Sequence, residues 1–244
     1  MTCSFALVVP LANEAKTFQS FIGKIQEVLN SLGVGKVYLV VDLVSKDETL
    51  ELCRSLSDKD KRFITVWAPE NKNVVDAYLR GYQEAVKSDY TYILEMDGGL
   101  SHDPFAIPMF LRNLSEGHNC VFGSRFINGG SISDSNWKRS FLSRGGTMLT
   151  NLLLGTKMKD MTSGYMGFHV DVVRRFLDCC LLSKAHFYQT ELRYLLRKER
   201  YIEVPIHYMA PSPSVSRKAI YNSFSVLFHY FFLRLKGKSA FLKS

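Results

Sequence analysis

Short apolar runs alternate with longer segments of helical periodicity through the first half of the chain. Apolar runs of this length predict buried strands, and apolar residues at every third or fourth position predict amphipathic helices. The predicted strands are Phe5–Pro10, Val37–Asp42, Phe63–Trp67, Tyr90–Met96 and Cys120–Phe122. Strands that alternate with helices predict an α/β fold, with a mostly parallel central sheet and helices on both faces.

Several helix ends carry sequence signals. The first helix is predicted from Asn13 and Glu14 onward, and Gly33 is expected to end it. The Ser-x-x-Glu spacing of residues 45–48 predicts a capping box for the second helix. Asp103 followed by Pro104 predicts the N-cap and the first residue of a later helix that runs to about residue 115.

The second half of the chain is less regular. The elements predicted there are a helix Trp137–Leu154, a loop Asp160–Tyr165 that enters a strand through Phe168, a helix Phe187–Lys198, a strand Tyr201–Tyr208, a break Ala210–Ser214 and a helix from about Arg217 to Leu235. We assign residues 1–218 to one domain and residues 219–244 to a C-terminal aromatic and basic amphipathic helix.

Composition narrows the class of protein. Of 244 residues, 46% are hydrophobic and 22% are charged, which is typical of globular domains. The five cysteines show no CxxC spacing, which favours a reducing cytosol, and the N-terminus predicts neither a signal peptide nor a membrane span. The formal net charge of +8 favours an anionic partner, whereas no nucleic-acid-binding motif accompanies it, so we expect no nucleic-acid partner.

The strongest candidate for chemistry is the end of the strand that begins near Tyr92. Asp97 follows this strand directly and enters a turn made of Gly98 and Gly99, where the backbone can approach a ligand closely. Ligands of open α/β sheets bind beyond the carboxyl ends of the strands. We therefore place the active-site edge here, with an ordinary turn residue as the alternative for Asp97.

The order of the polar motifs resembles the family 2 glycosyltransferases of GT-A fold, and among them the dolichol-phosphate mannose synthase-like group. The resemblance runs from Val8 to about Lys218. The matching segments are Pro10-Leu-Ala-Asn13-Glu14, Val40-Val-Asp42, Met96-Asp97-Gly-Gly99-Leu-Ser-His102-Asp-Pro104, Gly123-Ser-Arg125-Phe, Trp137-Lys138-Arg139, Ser143-Arg144, Asp160-x-Thr162-Ser163-Gly164-Tyr165, Gln189-Thr-Glu191 and Glu203-Val-Pro205. Each segment is weak alone, but their shared order is specific.

The resemblance implies that residues 1–218 form a GT-A (nucleotide-diphospho-sugar transferase) domain. It implies inverting transfer of a sugar from a nucleotide-diphosphate donor to a polyprenyl phosphate or a similar membrane-proximal acceptor. The donor-binding residues it implies are Pro10, Asn13, Glu14, Asp42, Asp97, Gly98 and Gly99. The residues it implies for the acceptor or its phosphate are Arg125, Arg139, Ser143, Arg144, Thr162, Ser163 and Arg217.

Two features of the reaction depend on the acceptor and on a metal. A phosphate acceptor is already anionic, whereas a sugar hydroxyl requires a base, for which Glu191 and Asp160 are the candidates. The resemblance implies Mg²⁺ or Mn²⁺ held by Asp97. Strand alternation places Glu95 on the same side of the strand as Asp97, which makes Glu95 a second candidate ligand.

This sequence departs from the family at positions that matter. The second aspartate after the second strand is Leu43, the Asp-x-Asp metal motif ends in Gly99, and the Lys of a late Gly-x-Ser-Lys motif is Arg217. Loss of carboxylates weakens a site for a hard cation. Two alternatives therefore stay open: a glycosyltransferase acting on a hydroxyl of a surface glycan, and a nucleotide-sugar-binding protein that has lost turnover.

The C-terminal segment Tyr221–Lys236 is apolar and aromatic but shorter than the about 20 residues that a membrane-spanning helix needs. Basic residues accompany it at Arg234, Lys236 and Lys238. This combination predicts a helix that lies on an anionic membrane surface. The alternative is a helix packed on the sheet or in a dimer interface. We expect a cytoplasmic protein, with peripheral contact to the cytoplasmic face of a membrane.

Overall fold

The computed structural model describes residues 4–33, 35–133, 137–209, 216–238 and 240–242, without the side chains of residues 137–139 and 142. The strands are β1 (Phe5–Leu11), β2 (Lys36–Val41), β3 (Phe63–Trp67), β4 (Tyr92–Glu95), β5 (Cys120–Ser124), β6 (Ser131–Ile132), β7 (Met166–His169), β8 (Tyr201–Pro205) and β9 (His207–Tyr208). The helices are α1 (Phe18–Leu32), α2 (Thr49–Lys59), α3 (Val74–Ala85), α4 (Ile107–Ser115), α5 (Trp137–Leu154), α6 (Val170–Leu177), α7 (Tyr188–Leu195) and α8 (Arg217–Leu235).

In the described residues, a seven-stranded sheet has the order β3-β2-β1-β4-β7-β5-β8. Only β7 runs against its neighbours β4 and β5, and the other pairings are parallel. The predicted α/β architecture with a mostly parallel sheet is confirmed. The carboxyl ends of β1, β2 and β4 consequently open onto the same edge.

Helices cover both faces of this sheet, as β1 illustrates. Phe5, Leu7 and Val9 belong to one buried cluster, which contains the apolar side of α1. Ala6 and Val8 belong to the other cluster, which contains α3. A Cβ on Gly81 of α3 would lie 2.3 Å from Cγ1 of Val8, so a glycine is required where this helix crosses β1.

The helix ends follow the sequence signals only in part. Gly33, in a left-handed conformation with φ of 70°, ends α1 as predicted. Asp103 accepts a hydrogen bond from the backbone N–H of Phe105 and caps a short 3₁₀ turn, Pro104–Ala106, that leads into α4. The capping box predicted at residues 45–48 is wrong, because α2 begins at Thr49 without a side-chain cap and Ser45 bonds instead to the backbone N–H of Asn13.

The predicted strand Tyr201–Tyr208 is two strands. β8 ends at Pro205 and pairs with β5, whereas β9 leaves the sheet and pairs in parallel with β6. Pro205 has no N–H to donate, and the N–H of Ile206 donates to the carbonyl of Ser124 at the point of departure. The break predicted at Ala210–Ser214 lies outside the described residues.

Helix α8 packs on the same body as the rest of the chain and crosses the boundary predicted at residue 218. Val226, Leu227 and Tyr230 are buried in the core cluster that contains α3. The guanidinium of Arg234 donates to the carbonyls of Leu152 and Leu153 at the end of α5, at 3.2 and 2.8 Å. Among the described residues, none of the helices combines the length and the apolarity that crossing a membrane requires.

Candidate active site

The loops that follow β1 and β4 meet at the sheet edge predicted for the active site. A Cβ on Gly98 would lie 2.7 Å from the carbonyl oxygen of Pro10, and a Cβ on Gly99 would lie 2.8 Å from Oε2 of Glu14. The backbone contact requires a glycine at position 98, whereas at position 99 the left-handed conformation, with φ of 76°, favours a glycine. The structure thus brings Pro10, Glu14 and the Asp97 turn together.

The loop after β2 is tied to the same place by Asn13. Asn13 adopts a left-handed conformation with φ of 59°, uncommon outside glycine but tolerated by asparagine. Its backbone N–H donates to Ser45, its amide donates to the carbonyl of Val44, and its amide oxygen accepts from the N–H of Lys46. Asp42 accepts from the N–H of Val44 at 2.9 Å. All the predicted donor-binding residues therefore border one edge.

Asp97 lies at the centre of this edge, with its side chain 31% exposed. Its Oδ1 accepts a hydrogen bond of 2.5 Å from the hydroxyl of Tyr78, on α3. Its backbone N–H donates to Nδ1 of His102 at 3.2 Å. Burial lowers the pKa of His102, so this imidazole is neutral and serves as an acceptor for the turn.

Glu95 precedes Asp97 by two residues but has a different environment. Its carboxyl is fully buried, and Oε2 accepts hydrogen bonds of 2.7 Å from the hydroxyls of both Tyr82 and Tyr188. Burial raises its pKa to about 8, so Glu95 is mostly protonated at neutral pH. A buried, neutral carboxyl is a poor metal ligand, which argues against the metal role predicted for Glu95.

Asp160, predicted as a candidate base, forms a buried ion pair with Arg125. The guanidinium of Arg125 donates to both carboxylate oxygens, at 2.8 and 2.9 Å, and its backbone N–H donates to Oδ2 at 3.0 Å. Arg125 also donates to the hydroxyl of Thr162 at 2.6 Å. Although burial opposes ionisation, the bonds from Arg125 hold the pKa of Asp160 at about 2. So low a pKa argues against general-base catalysis by Asp160.

Glu191, the other candidate base, is also fully buried. Its carboxylate accepts from the backbone N–H groups of Leu182 and Ser183, both at 2.9 Å, and from the hydroxyl of Tyr230 at 2.7 Å. These bonds fix the loop before α7 and attach α8 to it. Both oxygens are engaged within the protein, which argues against the base role for Glu191.

The residues predicted to contact the acceptor phosphate fall into different environments. Arg125 is 6% exposed and Arg144 is exposed, and their guanidinium carbons lie 5.1 and 4.6 Å from the ring centroid of Phe126. Ser143 is half-buried on α5, and Arg217 is exposed at the start of α8. The side chain of Arg139 lies outside the described part of α5.

A buried arginine that the sequence analysis missed holds the acceptor side together. The guanidinium of Arg193 donates to the carbonyls of Ser163 and Gly123, at 2.5 and 3.1 Å. It thereby joins the Thr162–Gly164 loop to the end of β5. Arg193 belongs to α7, in which polar side chains are buried at successive positions. The sequence of this helix therefore does not show which of its faces points into the protein. Tyr78 was missed for a similar reason, since it occupies an ordinary apolar position of α3.

The site can be tested for its fit to the divalent cation that the GT-A resemblance implies. Asp97 and Glu14 present carboxylates on the two sides of the Gly98–Gly99 turn, and Mg²⁺ is commonly held by one or two carboxylates together with substrate phosphates. No group of three or more metal-ligating side chains occurs in the described part of the chain. The residues present therefore fit a cation that shares its coordination with a diphosphate.

The fold and this acidic turn define a glycosyltransferase of the GT-A class. The fold is similar to that of glucosyl-3-phosphoglycerate synthase from Mycobacterium tuberculosis, solved in complex with Mn²⁺, uridine diphosphate and glucosyl-3-phosphoglycerate. The TM-score is 0.68 at 15% identity, over 96% of this chain and 80% of that one. The chain belongs to Glycosyl transferase family 2, whose family model matches residues 6–177.

Two relatives share most of their length with this chain. Polyprenol monophosphomannose synthase from Mycolicibacterium smegmatis is 26% identical over 225 residues, which cover 91% of this chain and 83% of the relative. Undecaprenyl-phosphate mannosyltransferase from Micrococcus luteus is 24% identical over 204 residues, which cover 83% of this chain and 82% of the relative. The resemblance to the dolichol-phosphate mannose synthase-like group is confirmed.

Proposed function

We propose that this glycosyltransferase transfers a sugar, with inversion, from a nucleoside diphosphate to a polyprenyl phosphate. One observation supports this acceptor above a sugar hydroxyl. The two candidate bases, Asp160 and Glu191, are buried and hydrogen-bonded, whereas Arg144 on α5 is exposed and lies over the same Phe126 ring as Arg125. A phosphate oxygen is anionic without a base, and a guanidinium suits it geometrically. The names of the two relatives agree with this acceptor.

The donor would bind along the edge formed by the loops after β1, β2 and β4. Asp42 and the loop after β2, which Asn13 holds by hydrogen bonds, border the position proposed for the nucleoside. The Asp97 turn borders the position proposed for the diphosphate. Asp97 would hold Mg²⁺ or Mn²⁺ together with the donor phosphates, and the cation would supply charge stabilisation for the departing diphosphate. Tyr78 fixes the direction of the Asp97 carboxylate by its hydrogen bond.

The acceptor phosphate would approach from the side of α5 and the Thr162–Gly164 loop. We assign its binding to Arg144 and Arg217, with Ser143, Thr162 and Ser163 at its border; for Arg139 the assignment rests on the family resemblance alone. Arg125 forms a buried ion pair with Asp160, and this pair supports the same side of the site. In the reaction, a phosphate oxygen forms a bond to the anomeric carbon while the bond from that carbon to the diphosphate breaks. The protein's task is alignment and charge stabilisation.

Contact with a membrane surface would give access to a lipid-linked acceptor. Ile220, Phe224, Phe228 and Phe232 repeat every four residues along α8 and are all exposed. The neighbouring helix α5 exposes a further set of large apolar side chains, namely Phe141, Met148, Leu149 and Leu152. Lys236 and Lys238 follow α8 and are exposed. Apolar and basic side chains together suit the cytoplasmic face of an anionic membrane.

A transfer assay with two matched acceptors tests the proposal. The protein is incubated with UDP- and GDP-sugars, Mn²⁺, and either a short-chain polyprenyl phosphate or the corresponding polyprenol without phosphate. We expect a product from the phosphate alone and from one nucleotide class. Transfer to the polyprenol would show that the enzyme accepts a hydroxyl and would support the alternative acceptor. Nucleotide binding without any product would support a binding protein that has lost turnover.

A further inference from the structure

The carboxylate of Glu14 occupies the space in which a side chain at position 99 would begin. A Cβ built on Gly99 would lie 2.8 Å from Oε2 of Glu14 and 3.1 Å from Oε1. Gly99 has φ of 76°, a conformation that most side chains disfavour. A side chain at position 99 would therefore displace the Glu14 carboxylate from the place that it occupies beside the turn.

Glu14 is held in this position by neighbours on both sides. The hydroxyl of Thr17 donates to Oε2 at 2.6 Å. The backbone N–H of Glu14 donates to the hydroxyl of Thr49, the first residue of α2, at 2.8 Å. These bonds hold the carboxylate beside the Asp97 turn. The glutamate is thus preorganised beside the turn rather than free to rotate.

The two carboxylates at the turn lack a positive partner within the protein. Among residues that the structure describes, neither Asp97 nor Glu14 forms an ion pair with a lysine or arginine. His102 lies 3.7 Å from Asp97, but the same ring nitrogen, Nδ1, accepts the backbone N–H of Asp97 and so is not a donor to the carboxylate. A diphosphate brought to this turn would be repelled by both carboxylates unless a cation lies between them.

We infer that Glu14 is the second carboxylate ligand of the divalent cation and replaces the carboxylate that Gly99 lacks. The cation would be shared by Asp97, Glu14 and the oxygens of the donor diphosphate. This assignment rests on the proposed donor site. The glycine at position 99 leaves the space that the Glu14 carboxylate occupies beside the turn.

Mn²⁺ binding tests the inference without relying on turnover. Free Mn²⁺ is measured by electron paramagnetic resonance during titration of the wild type, Glu14→Gln and the control Glu27→Gln, an exposed position on α1, each with saturating UDP or GDP. Glu14→Gln keeps the shape of the side chain and removes its charge. We expect its Mn²⁺ affinity to fall at least about tenfold, while Glu27→Gln matches the wild type.

A second variant pair separates ligand loss from a general disturbance of the loop. Glu14→Ala is expected to lose Mn²⁺ affinity, and the double variant Glu14→Ala/Gly99→Asp is expected to regain it, because aspartate tolerates positive φ and the competing carboxylate is gone. Melting temperatures establish that each variant is folded. A double variant as weak as Glu14→Ala would overturn the inference.

The remaining outcomes distinguish the inference from the proposed function. If Glu14→Gln binds Mn²⁺ as tightly as the wild type while nucleotide binding is intact, the inference is overturned and the donor site stands. If the wild type binds neither UDP nor GDP, with Mn²⁺ or with EDTA, the proposed function is overturned and the inference with it.

Discussion

The hydroxyl of Tyr78 donates a hydrogen bond of 2.5 Å to Oδ1 of Asp97, and this bond connects helix α3 to the turn at the end of β4. Burial and the nearby carboxylate raise the pKa of Tyr78, so its hydroxyl remains a donor at every physiological pH. The rings of Tyr78 and Tyr188 pack with centroids 5.0 Å apart, and Tyr188 in turn donates to Glu95. Two acidic side chains two residues apart are thus held by adjacent tyrosines.

Replacing this donor tests its positioning role. Tyr78→Phe removes one hydrogen bond to a charged carboxylate and keeps the ring, so we expect kcat/KM for sugar transfer to fall about tenfold. The melting temperature should change little, since the ring still fills the core. Tyr38→Phe is the control, because Tyr38 lies on β2 and its hydroxyl bonds to the hydroxyl of Tyr90. Equal losses in both variants would contradict the assignment.

The Arg125–Asp160 ion pair predicts a large effect on stability. Asp160→Asn leaves a buried guanidinium without its counter-charge, and the free energy of unfolding should fall by about 3 kcal/mol in urea denaturation at pH 7. Asp171→Asn, which breaks an exposed pair with Arg174, should cost less than about 1 kcal/mol.

The same pair predicts a specific acid response. The folded pKa of Asp160 is lowered from 3.8 to about 2, so its contribution is present above pH 4 and is lost as the pH falls toward 2. Asp160→Asn should lack this part of the acid transition. A variant with the stability of the wild type would contradict the burial of the pair.

Glu95 predicts the opposite dependence on pH. Its folded pKa is raised from 4.5 to about 8, so the protonated carboxyl favours the folded state at low pH. That contribution declines as the pH rises through 8, because ionising the buried group opposes folding. From pH 5 to pH 8, the free energy of unfolding of the wild type should fall by roughly 3 kcal/mol more than that of Glu95→Gln. Parallel curves for the two proteins would show that Glu95 ionises normally.

The exposed guanidinium of Arg144 predicts an effect on the acceptor alone. Arg144→Ala removes a phosphate contact, so we expect the KM for polyprenyl phosphate to rise about tenfold while the KM for the donor stays within twofold. Arg54→Ala is the matched control, because Arg54 is exposed on α2 near Lys36, at the opposite edge of the sheet. A change in donor KM alone would place Arg144 at the donor instead.

The sequence predicted the fold well because its strongest signals are local. Alternating apolar runs and helical repeats predicted the sheet, and an aspartate between a buried strand and two glycines marked the edge proposed here for the donor. Gly33 and Asp103 act through neighbours only a few residues away, and their predicted roles as helix stop and N-cap are confirmed.

Other assignments depended on contacts that no local pattern contains. Ser45 has the spacing of a capping box, but its hydroxyl accepts a hydrogen bond from the backbone N–H of Asn13, 32 residues earlier. Asp160 is by residue type a candidate base, but Arg125, 35 residues earlier, forms an ion pair with its carboxylate. Strand alternation placed Glu95 on the side of Asp97 but gave no information about the tyrosines of α3 and α7 that enclose it.

The most direct test of the account is the rate of sugar transfer to polyprenyl phosphate by Asp97→Ala and by the wild type, measured with the same donor. Asp58→Ala, an exposed position on α2, is the control. Because Asp97 is the half-buried carboxylate at the centre of the proposed donor edge, its removal should lower kcat at least about 100-fold, while Asp58→Ala retains full activity. A folded Asp97→Ala protein that transfers sugar at the wild-type rate would contradict the account.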